Sequence, residues 1–439
     1  MFNLSLKDNS FKSLSDLFAY SDRDTLMSPL LKIEKLSVSE VINEKSKSLF
    51  IFANADKIED EKIIQLNSDD NIMTGNIAGF IGLNDLQINI SSRFAENEED
   101  YFLHYMLSKV FNINLANLKH NQEKSSIFDF LILLFPYYLK QAFRKGLFRK
   151  YNTFHYNDPN IKGAINVTKF IQRDIPFTGN VTYTTREYST DNHLTELVRH
   201  TIEFIKVGRY KSILEETSSA LFVKAIIEST PSYDKNDRQM IIGKNLTPIR
   251  HPYYSEWTDL QRLCLMILRH NKIKYANESK KQIYGILFDV AWLWEAYLNI
   301  LLASYHFKHP NNKTGEGRIY LFNDNTGYRY PDFYNNEYVL DAKYKTMPAS
   351  VEKIDREDLH QMITYLHILN PTPKTGVFLY PIKEKAVNSC LKSKTLNGKG
   401  GMIKAEGLII PSNVTSFEDF SARIEANAIT FINNLLSKK

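Results

Sequence analysis

The sequence predicts a mixed α+β protein: a β-rich N-terminal segment, a middle region of helices and strands, and a C-terminal core ordered helix, three strands, helix, strand. Three observations predict it. Short alternating apolar runs fill the N-terminal part, in SLFIFA (48 to 53), GNIAGFIGL (75 to 83) and LQINISSRF (86 to 94). Alternation of this length gives half-buried strands, and Gly75, Gly79, Gly82 and the turn-prone Asn84-Asp85 mark hairpins between them. Longer apolar stretches at helical spacing take over in the middle, and beyond residue 251 the two patterns interleave. A chain of 439 residues with 43% apolar content can bury more than one core, since single domains run ~100–200 residues. We divide it into 1–115, 116–250 and 251–439.

Taken in order, a helix follows Asp100, where Phe102, Met106 and Val110 recur at helical spacing in YFLHYMLSKVF. The middle segment opens with an apolar helix around Leu131 and passes into basic QAFRKGLFRKY, then IKGAINV and the Thr/Tyr-rich strand VTYTTREYS (181 to 189). Asp191 is placed to cap the amphipathic helix NHLTELVRHTIEFIKV, and SYDKNDRQ (232 to 239) reads as a polar loop. Helices are expected at 256 to 270 and 286 to 305, followed by the loop HPNNKTGEG. Strands are expected at 318 to 323, 328 to 334 and 337 to 345, joined by DNTG and NN turns. A helix beginning near Asp355 or Asp358 carries Leu359, Met362, Ile363, Leu366 and Leu369 until Pro371 stops it, and TGVFLYP (375 to 381) adds a last strand. The chain shows no internal repeat and no low-complexity tract.

A net charge of +5, from 55 basic and 50 acidic residues, admits a nucleic-acid partner without requiring one. Cys264 and Cys390 alone exclude a disulfide framework and a cysteine zinc site, and point to a reducing cytoplasm. The start MFNLSLKDNS lacks the pattern of a signal peptide. Of the two most apolar runs, FDFLILLFPYYL is too short to span a bilayer and FDVAWLWEAYLNILLASYHF carries Asp289 and Glu295, so both read as buried helices and no membrane partner is expected.

The chemistry concentrates in YRYPDFYNNEYVLDAKYKT (328 to 346). Side chains alternate along a strand, so Asp341 and Lys343 share a face, and a turn at Asn335-Asn336 sets Asp332 beside Asp341. Converging carboxylates repel unless a cation lies between them, and hard oxygen ligands suit Mg²⁺ better than zinc. A bound Mg²⁺ polarises a phosphate and lowers the pKa of an attacking water, which Lys343 would orient or help deprotonate; this is phosphodiester hydrolysis chemistry. The ordinary meaning of such a pattern is a cross-strand ion pair on a solvated face. The aliphatic run before Asp341, the proline before Asp332 and the helix that follows favour the site.

These residues resemble the PD-(D/E)xK nuclease superfamily, whose motif appears as Pro331-Asp332 and then Asp341-Ala342-Lys343, and whose αβββαβ core matches the order read above. Gln361 and Tyr365, one helical turn apart, are similar to the QxxxY element of RecB-like nucleases; the alternative is a helix-edge polar residue and a core tyrosine. Glu295, in AWLWEAYL, lies where many members place an accessory acidic ligand, though it also fits a plain helix surface. The resemblance implies catalysis by Asp332, Asp341, Lys343, Gln361 and Tyr365, and Mg²⁺ on Asp332, Asp341 and Glu295, in a one- or two-ion arrangement.

Two further passages resemble the McrC family. GNIAGFIGLNDLQINISSRF leads into EEDYFLHYMLSKVF, and IKGAINVTKFIQRDIPFTGNVTYTTREYSTDNHLTELV follows; with the nuclease motif, the likeness spans about 75 to 380, while residues 1 to 70 match nothing we can name. It implies the nuclease subunit of a modification-dependent or related restriction complex, acting on double-stranded DNA in a hetero-oligomer with an McrB-like AAA+ GTPase or other NTPase. The N-terminal β domain is expected to enter that ring and stimulate its hydrolysis. In agreement, the chain has no G-x-x-x-x-G-K-[ST] loop, and GKGG (398 to 401) is a lone Gly-rich turn, so NTP falls to the partner. Arg93 and Phe94 are candidate partner contacts, or else a strand-end charge and a core aromatic. Arg144, Lys145, Arg149 and Lys150 face phosphates or solvent, and His193, His200, His360 and His367 form no ligand set. Two other functions fit: a non-catalytic activator of a ring NTPase, and a stand-alone RecB-like repair nuclease.

Overall fold

The computed structural model describes residues 2–14, 23–37, 49–52, 62–67, 71–83, 86–96, 100–111, 127–208, 210–273, 284–311, 314–385, 389–398 and 400–437. The chain forms two compact units, 1–116 with 278–439, and 117–277. No helix among the described residues is long and apolar enough to cross a membrane.

The N-terminal part contributes β1 (Phe2–Lys7), β2 (Phe11–Ser13), α1 (Arg23–Glu34), β3 (Leu49–Phe52), β4 (Ile64–Leu66), β5 (Asn71–Thr74), β6 (Ile77–Leu83), β7 (Leu86–Ser91) and α2 (Tyr101–Phe111). The three alternating runs form β3, β6 and β7 as expected; the Asn84-Asp85 turn lies outside the described residues. Along β7 buried and half-buried residues alternate, whereas β6 is buried on both faces because it is a central strand. A small sheet, β2-β5-β4, stands beside the main one.

The middle unit holds α3 (Ile127–Phe143), β8 (Lys150–Asp158), β9 (Ala164–Ile165), α4 (Val167–Arg173), β10 (Val181–Ser189), α5 (His193–Val207), α6 (Ser212–Glu215), α7 (Thr217–Ser229), α8 (Arg238–Lys244) and α9 (Ser255–Ile273). Its sheet runs β8-β10-β9. Asn192, not Asp191, caps α5: its side-chain oxygen accepts from the backbone N–H groups of Leu194 and Thr195, while Asp191 accepts from Ser232. The polar stretch at 232 to 239 is only partly loop, since a 3₁₀ turn at Lys235–Asp237 runs into α8.

The C-terminal part opens with β11 (Tyr284–Asp289), so the helix expected at 286 to 305 begins only at α10 (Val290–Leu302). A short run apolar on both faces suits a buried helix or a buried strand equally. The open edge of β6 decides it: β11 pairs antiparallel with β6 and parallel with β3, completing the order β1-β7-β6-β11-β3. Gly79, at φ +130°, permits this approach, because a Cβ there would collide with the Ile286 carbonyl. Leu287 joins the core made by Leu6, Ile33, Ile64, Ile81 and Ile88.

Next come β12 (Ile319–Tyr320), β13 (Tyr328–Arg329), β14 (Phe333–Tyr334), β15 (Tyr338–Ala342), α11 (Arg356–Leu369), β16 (Thr375–Lys383), β17 (Cys390–Thr395), β18 (Met402–Ile410) and α12 (Phe417–Leu436). The strand expected at 328 to 334 is split, with Pro331 between its halves, and β12-β13 forms a ribbon of its own. The core sheet is β14-β15-β16-β18-β17, with β15, β16 and β18 parallel; it leaves out β12, the first strand of the expected αβββαβ set, and gains β17 and β18, after which α12 follows. The units do not follow the three expected segments: β11 joins the first segment to the third, and α9 belongs with 117–277.

A fragment ending at residue 115 lacks β11 and Leu287, so we expect it to show no cooperative melt by circular dichroism. Leu287→Ala in the full chain is expected to cost about 2–5 kcal/mol in denaturant unfolding; a cooperatively folded 1–115 fragment would refute the shared core.

Candidate active site

The site starts from a turn. The Asn335 side-chain oxygen accepts from the backbone N–H groups of Glu337 (2.9 Å) and Tyr338 (2.8 Å), and Asn335 N–H donates to Tyr338 O (3.0 Å). This sets the pairing Phe333↔Leu340 and Tyr334↔Val339, which in the same register puts Asp332 across from Asp341. Ala342 N–H donates to Asp332 Oδ2 at 2.8 Å. Both carboxylates are buried, at 7% and 4% exposure.

The lysine is held from several sides. Its backbone N–H continues the pairing past the end of β15 by donating to Leu379 O (2.9 Å), an oxygen that also accepts from Trp294 Nε1 of α10 at 3.3 Å. Lys343 Nζ lies 2.7 Å from Asp341 Oδ2 and 3.0 Å from Asp358 Oδ1, and Lys345 bonds the other oxygen of Asp358. Asp358 sits in the first turn of α11, which Asp355 caps through Glu357 N–H at 2.9 Å.

Three carboxylates thus face two ammoniums. Burial, then the neighbouring Asp332, pushes Asp341 up to about 8 against the pull of Lys343. Burial opposes the charge on Lys343, but Asp341, with Asp358 and Asp332, outweighs it and holds the ammonium well above the usual lysine range. Burial likewise opposes the charge on Asp358, yet Lys345 and Lys343 keep it below the usual carboxylate range. The rises at Asp341 and Lys343 belong to one coupled pair, in which burial and Asp332 disfavour the carboxylate charge while Asp341 and Asp358 favour the ammonium.

Of the residues singled out from sequence, Asp332, Asp341 and Lys343 come together. Gln361 and Tyr365 meet each other, with the Gln361 amide donating to Tyr365 Oη at 2.8 Å, while Met362, Tyr365 and Leu366 bury the inner face of α11. Glu295 Oε1 stands 4.0 Å from His309 Nδ1, which lies 2.8 Å from Asp332 O; the His309 ring stacks on Phe333. Among the described residues no three His, Cys, Asp or Glu side chains gather as a preformed metal cluster. The donors still fit Mg²⁺, which is bound by one or two carboxylates plus water and substrate phosphate. Asp341 Oδ2 is buried, and beyond its ion pair no donor is aligned on it as a hydrogen bond.

Arg93 and Phe94, candidate partner contacts, are engaged internally: Arg93 bonds Asp8, Asn76 and Tyr344 O, and Phe94 packs edge-on against Phe102 and Tyr344. Arg144, Lys145, Arg149 and Lys150 are exposed. Sequence reasoning missed Asp358 as a site residue, although it lies one turn before Gln361 on the same helix face. It also missed His309, for which a polar loop offers no periodic signal.

A family model described as "McrBC 5-methylcytosine restriction system component" matches residues 72–381, more than half of the sequence. The chain belongs to the McrBC family. Among solved structures, the chain resembles one described as a half-complex from a tetradecameric assembly of Thermococcus gammatolerans McrB AAA+ hexamers with bound McrC. That likeness has 15% identity and a TM-score of 0.56, covering 99% of this chain and 100% of the other. A second, the cryo-EM structure of the Thermococcus gammatolerans McrBC complex, shares 14% identity over 69% of this chain and 87% of the other, at a TM-score of 0.36. A search of curated proteins gives no match. The McrC resemblance read from the sequence is borne out, and the mixed α/β fold with it.

Because the folded Asp341 titrates above its ordinary value near 3.8, the stability it contributes is present below that value and lost as pH rises through about 8. In cation-free buffer the melting temperature of this McrBC-family chain is therefore expected to fall across that window. Added Mg²⁺ is expected to raise it more at pH 8 than at pH 5, and Asp341→Asn to flatten both effects; differential scanning fluorimetry at a series of pH values checks this.

Proposed function

We propose that this chain is the metal-dependent DNA-cleaving subunit of an McrBC-type restriction complex, working in the cytoplasm. The observation that carries the reading is the convergence of buried Asp332 and Asp341 with Lys343 at 2.7 Å, on a sheet whose flanking helix adds Asp358 and Gln361. Asp332 and Asp341 would hold Mg²⁺, which when bound polarises the scissile phosphate and acidifies a water. Burial and the neighbouring Asp332 disfavour charge on Asp341, so a divalent cation held there would favour its ionised form. Lys343, held between Asp341 and Asp358 with its ammonium favoured by both, acts as a fixed donor that orients the nucleophile and stabilises charge on the phosphate oxygens. This narrows the role expected from sequence, where the lysine also served as a base. Asp358 and Lys345 keep Lys343 in place, and exposed Gln361, aligned by Tyr365, offers its amide to the DNA backbone.

The McrB AAA+ hexamers named in the similar structure support an McrB-like NTPase as partner, which binds the NTP since this sequence carries no phosphate-binding loop of its own. Residues 1–115 were expected to enter the ring. A second reading is favoured by the exposed apolar residues of the middle unit, where Tyr151, Tyr188, Ile165, Ile171, Ile175 and Phe177 are 48–64% exposed. We place the partner contact there.

With the partner, NTP and Mg²⁺, Asp341→Ala is expected to abolish plasmid cleavage and Lys343→Ala to slow it by about 10²–10³-fold, both retaining stimulation of NTP hydrolysis. Cleavage persisting in Asp341→Ala would refute the site, cleavage by the isolated wild-type chain would favour a stand-alone nuclease, and stimulation without any cleavage an activator. Ile175→Ser with Phe177→Ser is expected to remove NTPase stimulation while the fold is kept; undiminished stimulation would return the contact to residues 1–115.

A further inference from the structure

Arg93, from the N-terminal part of its unit, touches the segment that carries the site lysines. Lys343 and Lys345 lie past the last paired residue of β15, with Tyr344 between them. Arg93 Nη1 donates to Tyr344 O at 3.3 Å, and its guanidinium carbon stands 4.7 Å from the centre of the Tyr344 ring. Phe94 meets the same ring at 5.7 Å and 67°, and Tyr344 is 5% exposed.

The guanidinium is itself gripped on its other edge. Nε and Nη2 bond Asp8 Oδ2 at 2.9 and 2.7 Å, Nη2 bonds Asn76 Oδ1 at 2.6 Å, and the Arg93 backbone N–H bonds Asp8 Oδ1. Asp8 follows β1, Asn76 precedes β6 and Arg93 follows β7, so three adjacent strands converge on one planar fork. Asp8 is 0% exposed. A buried ion pair of this kind is often no more stabilising than apolar packing in its place, but its geometry is strict, and a guanidinium alone presents donors on both edges.

We infer that Arg93 is a positioning residue for Lys343: by fixing the carbonyl and ring of Tyr344 it fixes the backbone on which both site ammoniums are carried. Its consequence for cleavage rests on the nuclease reading above; its consequence for the lysines does not. A fixed Tyr344 leaves Lys343 Nζ between Asp341 and Asp358 and Lys345 on Asp358. Without the fork, the segment after Ala342 keeps only the Lys343 N–H bond to Leu379 among these backbone ties.

The test compares full-length wild type, Arg93→Gln and Arg93→Lys, the last keeping a cation against buried Asp8. Amine labelling read by mass spectrometry is expected to rise at least about fivefold at Lys343 and Lys345 in Arg93→Gln, to stay within about twofold at Lys404, and to be intermediate in Arg93→Lys. With the AAA+ partner, NTP and Mg²⁺, single-turnover cleavage by Arg93→Gln is expected to slow at least about tenfold with half-saturating DNA unchanged within about twofold, and Arg93→Lys to recover part of the rate. Unchanged labelling at Lys343, a rise shared by Lys404, or wild-type cleavage by Arg93→Gln would each overturn the inference. A labelling shift in a protein whose wild type cuts no DNA would instead sink the nuclease reading and leave the positioning of the lysines standing.

Discussion

The antiparallel pairing of β11 with β6 is the contact on which the larger unit depends. It joins residues about two hundred positions apart and completes a sheet that neither end of the chain can finish alone. Its consequences run directly into the site. β11 ends at Asp289, whose side chain accepts from Ala291 and Trp292 N–H and starts α10, and Val290 N–H donates to Asn76 O. α10 then delivers Trp294 to the Leu379 carbonyl that also receives Lys343 N–H. One backbone register in the N-terminal sheet thereby reaches the strand that carries the candidate lysine. Loop-closure entropy grows slowly with length, so an insertion as large as 117–277 within this sheet is thermodynamically tolerable.

The site itself is governed by charge balance. Asp332, Asp341 and Asp358 exceed Lys343 and Lys345 by one negative charge in a place largely closed to water. Such a surplus is costly unless it is protonated or met by a further cation. Burial and Asp332 accordingly raise Asp341 above the usual carboxylate range, while Asp341 and Asp358 raise Lys343. The upward shifts of Asp341 and of the lysine beside it have the same origin, a surplus of carboxylate in a buried place.

Much of this was legible locally. The β7 alternation, the α2 spacing and the strand VTYTTREYS are each decided by a few neighbouring residues and appear where they were expected, and of the two starts open for α11, Asp355 or Asp358, the cap is Asp355. The pairing of Asp332 with Asp341 followed from a two-residue turn and the strand period. Residues 284–289 misled because an apolar run carries no period, and only a distant strand edge chooses between helix and strand. Capping by Asn192 rather than Asp191 misled by one position, as both side chains can serve and tertiary contact with Ser232 occupied the second. Glu295 was placed correctly on its helix, and only the tertiary structure shows it facing His309, which reaches the Asp332 carbonyl.

The sequence by itself determined the motif: an aspartate after a proline, an aspartate and lysine two residues apart in an aliphatic strand, and a following helix with Gln361 and Tyr365 on one face. Short-range periodicity suffices for that, because turn chemistry and the strand repeat act within about ten residues. Only the tertiary structure decided that Asp358 and Lys345 complete the charge cluster, that β11 binds the two ends of the chain into one core, and that Arg93 faces inward to Tyr344. Those outcomes depend on which surfaces exclude water together, a property that no local window of residues contains.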